Sequence, residues 1–135
     1  MTSSPLPREV HDLLERTLRS IEKVETLRHL RRAETSLSRD ELMRALRLDG
    51  ESVDGVVGDL ARAGLVEANG SRGTVGLGPA ARTPACEDLL RIYEDDRLAV
   101  VSELSALSVA RIRDMAARTF SETFVSKKRP SNGSQ

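Results

Sequence analysis

The chain is poor in the residues that mark several large classes of protein. There is no Trp, and Tyr93, Phe120 and Phe124 are its three aromatic residues, so a core has to come from Leu, Val, Ile and Ala. A single cysteine, Cys86, excludes an intramolecular disulfide framework and a Cys-rich zinc site. The two histidines, His11 and His29, have no Cys or His at ligand spacing, so neither a structural metal nor any other cofactor is expected. No apolar run approaches the ~18–20 residues of a membrane-crossing helix. The first ten residues, MTSSPLPREV, hold neither a basic nor an apolar signal region. A soluble, cytoplasmic protein is the expectation. Net charge is lacking as well: 21 basic residues balance 21 acidic ones, which removes the simplest argument for nucleic-acid binding.

What is present is helical pattern. Val10, Leu13, Leu14, Thr17, Leu18 and Ile21 recur at spacings of three and four in a stretch from Pro7 to about Arg32. Ser20 suggests a break inside it, although Lys23 stands where a capping box needs Glu or Gln. Ile21, Val24, Leu27 and Leu30 form the next stripe. Ser38 and Glu41 fit a capping box ahead of Leu42, Met43, Leu46 and Leu48. Asp49-Gly50 reads as a turn. Ser52 then reads as the N-cap of a helix whose inner face is Val53, Val56, Val57, Leu60 and Ala61, with Gly64 just past its end.

The period changes at Leu65. Residues 65–68 and 74–77 read as two short strands joined by Asn69-Gly70-Ser71-Arg72-Gly73, a hairpin loop. Thr83-Pro84 opens another helix, expected to reach about Leu107. Ser108 reads as the cap of a last helix carrying Ile112, Met115, Ala116, Thr119, Phe120 and Phe124.

Helix, helix, turn, helix and hairpin, in that order, make a winged helix-turn-helix. The expected fold is mainly α with a small β-hairpin and with helical extensions at both ends. Its divisions are an N-terminal helix (1–19), the winged domain (20–80), a C-terminal helical extension (83–125) and a disordered basic, polar tail (126–135). VGDLARAGLVE at 57–67 resembles the end of the recognition helix in bacterial winged-helix regulators. There a Leu packs inward, a Gly ends the helix and an apolar pair starts the wing. That resemblance covers about residues 21–78. LPREV (6–10), SIEKVETLRHLRR (20–32) and YEDDRLAVVSEL (93–104) extend it to small bacterial regulator-like proteins with a helical C-terminal extension. The resemblance implies a regulator-like winged-helix protein, and fold precedent makes a non-catalytic transcriptional regulator that binds double-stranded DNA the expectation.

In such a domain the second helix enters the major groove and the first crosses the backbone. The candidate DNA-binding residues are therefore Arg39, Arg44, Arg47, Ser52, Asp54, Gly55 and Arg72. Arg72 stands at the wing tip, where a minor-groove or phosphate contact would come. The charge count runs against this. Residues 38–82 hold six arginines and seven acids, a net charge of −1, whereas phosphate contacts need local positive charge. An acid can accept from cytosine N4, but it needs basic neighbours to hold the duplex. For each arginine the alternative is a solvated surface charge. For the domain, the alternative is a protein–protein interaction module in a regulatory complex.

Leu90, Tyr93, Arg97, Val100, Leu104 and Leu107 form a heptad-like seam, and a homodimer through the terminal helices is expected. Packing against the N-terminal helix is the competing account of that seam. For Phe120 and Phe124, core or dimer packing is favoured over a membrane-surface or partner-binding helix with the basic Lys127-Lys128-Arg129 tail. No catalytic constellation is visible. Glu94, Asp95 and Asp96 point different ways on a helix. The loop at 69–73 lacks a Walker lysine. Cys86 lies near a helix start that could lower its pKa, but with no His nearby in sequence a partly buried small residue is the favoured reading.

Overall fold

The structure, a computed structural model, describes residues 6–128, with side chains as far as Ser121. The elements are α1 (Arg8–Arg16), α2 (Ile21–Ala33), β1 (Leu37–Ser38), α3 (Arg39–Leu46), α4 (Gly50–Arg62), β2 (Val66–Asn69), β3 (Thr74–Leu77), a 3-10 turn (Pro79–Arg82), α5 (Pro84–Asp95) and α6 (Arg97–Lys128). The winged helix-turn-helix is therefore the observed architecture. Two compact units divide the chain, one ending at Leu104 and the other beginning at Ser105.

The first unit is built on aliphatic side chains, as a chain without Trp requires. Val10 and Leu14 of α1, Val24, Leu27 and Leu30 of α2, Leu42 of α3, and Val53 and Leu60 of α4 are all buried. α1 packs on α5, and α2 packs on α3, α4 and α5. Leu89, Leu90 and Tyr93 of α5 and Val100 and Leu104 of α6 complete the core. The heptad-like seam from Leu90 to Leu104 is thus consumed inside the unit. The backbone also leaves its helix at Asp96 (φ −147°), so the seam is not one continuous helix.

The local chemistry explains the boundaries. Ser20 accepts from the backbone N–H of Lys23 and caps α2, so the break at Ser20 is real although the box is absent. Both halves of the capping box at Ser38 and Glu41 are made, at 3.1 and 2.7 Å. α4 departs from expectation: its N-cap is Asp49, not Ser52. Asp49 accepts from the backbone N–H of Ser52 at 2.8 Å, which makes Ser52 the capped residue in the first turn. Gly64 takes φ +78° behind α4, a conformation that disfavours any Cβ. There the chain crosses Gly78, where a Cβ would come within 2.5 Å of the Gly64 carbonyl oxygen.

The wing has one strand more than the expected hairpin. β3 is central, with β2 on one side and the two-residue β1 on the other, all antiparallel. Leu37 faces Val75 and Ser38 faces Thr74, while Asn69 also pairs with Thr74 from the other side. In the wing turn the Asn69 Oδ1 accepts from the Ser71 hydroxyl at 2.9 Å and from the backbone N–H of Arg72 at 3.2 Å.

Thr83 caps α5 as expected, accepting from the Cys86 N–H. No new helix starts at Ser108, because α6 runs unbroken from Arg97 to Lys128. Nothing in Ala106-Leu107 interrupts it, and a serine caps only where the preceding backbone has left the helix. α6 also takes the first three residues of the expected tail. The remainder of that tail, and residues 1–5, lie outside the described residues. Phe120 is not a core residue: it is 71% exposed, and Ile112 and Met115 are each 65% exposed. The side chain of Phe124 lies outside those described.

Candidate nucleic-acid interface

The turn between α3 and α4 is tight. Arg47 ends α3 in the left-handed region at φ +58°, and Asp49 starts α4 two residues later. α3 and α4 pack together, with Val53 and Leu60 turned inward. The exposed residues of α4 are Glu51, Ser52, Asp54, Gly55, Asp59, Ala61 and Arg62. A Cβ at Gly55 would meet nothing within 4 Å, so this part of the helix is open to an approaching surface.

Arg39, Asp54 and the wing come together. The Arg39 guanidinium donates from Nε to Asp54 Oδ1 at 2.8 Å and from Nη2 to Oδ2 at 3.0 Å. Both residues border a groove of about 190 Å³ with an apolar floor of Leu42, Val53, Val57 and Val75, whose far rim is Asn69, Gly70 and Gly73. Arg72 lies in that rim's turn and is exposed. Arg47 belongs elsewhere: it lines a separate groove with Glu22, Glu25, Leu48 and Arg97. Arg44 is exposed on α3, where its charge helps to lower the Glu41 pKa.

Four of the domain's seven acids are engaged by the chain itself, each as a carboxylate. Glu41 receives the Ser38 N–H, which holds its carboxyl below the ordinary range. Asp49 is held low by the Ser52 N–H, and Asp54 by the Arg39 guanidinium. Asp59 is held low first by Lys23 of α2, whose Nζ stands at 3.2 Å, and then by Arg62. Lys23 was not a candidate in the sequence. Its partner lies on another helix, and only the packing of α2 on α4 brings the two together. Arg47 and Arg72 have no ion pair among the described residues.

A polar junction of α2, α5 and α6 borders the groove that holds Arg47. The Glu25 carboxylate, 15% exposed, accepts from the Tyr93 hydroxyl and lies 3.2 Å from Arg28 Nη1, 3.4 Å from His29 Nε2 and 3.2 Å from Arg97 Nη2. Burial first, and then the Glu25 bond, push the Tyr93 hydroxyl pKa well up. Arg97 also lies over the Tyr93 ring, 5.5 Å from its centroid.

Two other residues weighed in the sequence find their places. Cys86 is fully buried, and burial pushes its thiol up to about 11. Desolvation outweighs any effect of the helix start, and the small buried residue is what is found. His11, Asp12 and Glu15 hold ligand atoms within 4.8 Å of one another, an arrangement a metal ion could use. It sits on α1, and the imidazole Nδ1 already faces Glu103. No helix among the described residues is long and apolar enough to cross a membrane.

No protein-family model matches the chain, and no curated protein matches its sequence. Solved structures do match. MepR, a transcription regulator of the Staphylococcus aureus multidrug efflux pump MepA, is 20% identical, with 86% of this chain and 88% of that one aligned at a TM-score of 0.50. A MepR variant from the same organism gives the same identity and coverage at a TM-score of 0.51. A Mycobacterium tuberculosis MarR family protein is 22% identical over 89% of this chain and 82% of its own, at a TM-score of 0.48. The MepR alignments reach beyond the wing over most of both chains, so this chain is similar in fold to a solved winged-helix transcription regulator.

Proposed function

We propose that the chain is a non-catalytic, DNA-binding transcriptional regulator of the winged-helix type, acting in the bacterial cytoplasm as a homodimer. The observation that carries this reading is the winged helix-turn-helix itself, with arginines exposed on α3 and on the wing. Glu41, Asp49, Asp54 and Asp59 are engaged by caps or cations of the chain itself. Arg72 at the wing tip and Arg44 on α3 remain exposed. The domain's −1 is thus unevenly placed, and these two arginines, without an ion pair among the described residues, are the cations available to phosphates. The open surface at Gly55 suits close approach of a duplex to α4.

Fluorescence anisotropy with a random-sequence duplex, titrated across salt, tests the reading. Binding whose logarithm falls linearly with the logarithm of salt concentration is the expected result, with a slope of about −0.9 for each phosphate neutralised. Absence of binding at low salt would overturn it and leave the protein-interaction module as the account of this fold.

The dimer rests on α6, where Val109, Ile112, Met115 and Phe120 are exposed. Exposed apolar residues on one helix are a ready surface for a second copy, and palindromic half-sites call for two copies. Light scattering at micromolar concentration is expected to give twice the chain mass of 14.8 kDa; a monomer mass would rule the dimer out.

A further inference from the structure

Asp54 and Arg39 occupy the place where a regulator of this shape would read sequence, and each is occupied by the other. The two bonds, at 2.8 and 3.0 Å, form a fork that uses both carboxylate oxygens. The guanidinium lies against Gly50, the first residue of α4. A Cβ at that position would collide with it. Both side chains are more than half exposed, at 53% and 60%, so water screens the pair and opening it costs little. The pair borders the groove between α4 and the wing.

We infer that Asp54 is a specificity-determining residue, which holds Arg39 back from the DNA backbone until a cytosine amino group takes the carboxylate. This rests on the DNA-binding reading and deepens it. On a random sequence, opening the fork would leave a bare carboxylate beside phosphates, so the fork stays closed and one cation is withheld. Where a cytosine N4 amino group faces Asp54, the carboxylate accepts from it. Arg39 is then free to reach a phosphate, and one internal pair is exchanged for two contacts with the duplex. The acid that counted against DNA binding in the charge sum becomes the element that suppresses binding to the wrong sequence.

The test uses the full chain and a labelled random-sequence duplex, between about 50 and 200 mM salt. Asp54→Asn keeps the side-chain shape and releases Arg39. It is expected to bind the random duplex about tenfold more tightly at the low end, with a salt slope steeper by about 0.9, the value of one added phosphate contact. Glu51→Gln, one turn away on α4, removes the same charge without freeing an arginine and is expected to leave the slope unchanged. Adding Arg39→Gln to Asp54→Asn is expected to cancel the gain. Selection from a randomised duplex pool is expected to enrich a cytosine with the natural chain that Asp54→Asn no longer enriches.

If the natural chain binds and Asp54→Asn behaves like it or like Glu51→Gln, or if the gain survives Arg39→Gln, this inference is overturned and the DNA-binding reading stands. If neither the natural chain nor any variant binds the duplex, both fall. All of these side chains are exposed on helix surfaces, and circular dichroism confirms that each variant is folded.

Discussion

Replacing Arg44 and Arg72 together by glutamate lowers affinity for a random-sequence duplex about 100-fold or more at about 50 mM salt, and flattens its salt dependence. The size follows from counterion release. A slope of about 0.9 per phosphate makes one contact worth about 15-fold at that salt concentration, and two contacts about 200-fold. Reversing the charge adds repulsion to the loss. Both residues are exposed, so the helix content should not change, and circular dichroism checks that. Arg47→Glu is expected to do less, because Arg47 shares its groove with the acids Glu22 and Glu25. Unchanged binding by a folded Arg44→Glu/Arg72→Glu chain would remove the phosphate-contact account of this surface.

Glu25→Ala lowers the melting temperature by about 6–12 °C, corresponding to about 2–4 kcal/mol. The cause is not one lost bond. Removing the carboxylate strands the buried Tyr93 hydroxyl and leaves Arg28, His29 and Arg97 facing one another without the acid that gathers them. A buried group left unpaired costs more than a made bond contributes. Tyr93→Phe is the comparison. It removes a single hydroxyl, leaves the arginines with their acid, and is expected to cost about 1 kcal/mol. Thermal unfolding followed by circular dichroism separates the two, and equal losses would show that Glu25 is not the junction's anchor.

The legible parts of the fold were those written in neighbouring residues. The capping box at Ser38 and Glu41, the left-handed Gly64 and the Asn69–Gly73 turn each need only a few adjacent side chains. β3 at Thr74–Leu77 was read with its observed ends for the same reason. The errors arose where local chemistry allowed two answers or where distance decided. Asp49 and Ser52 can both cap a helix, and the earlier one does. β1 has two residues and no alternation to detect. Ser108 carries cap chemistry inside a helix that never stopped. The interface divides along the same line. That Arg39 and Asp54 were both candidates followed from fold and residue type, but their pairing depends on how α3 packs on α4. Lys23 was missed because nothing near it in sequence announces Asp59.

Ser38 belongs to two structures at once. Its backbone is the last rung of β1, opposite Thr74 of the wing, and its side chain is the cap that starts α3. The two elements therefore share a pivot. A duplex that pushed the wing tip aside would pull on β3, then on the rung at Ser38, and so on the first turn of α3, where Arg39 begins its reach to Asp54. On the proposed reading, displacement at the wing would reach the first turn of α3, whose Arg39 holds Asp54 of α4. On that reading the wing would be a lever as well as a contact surface.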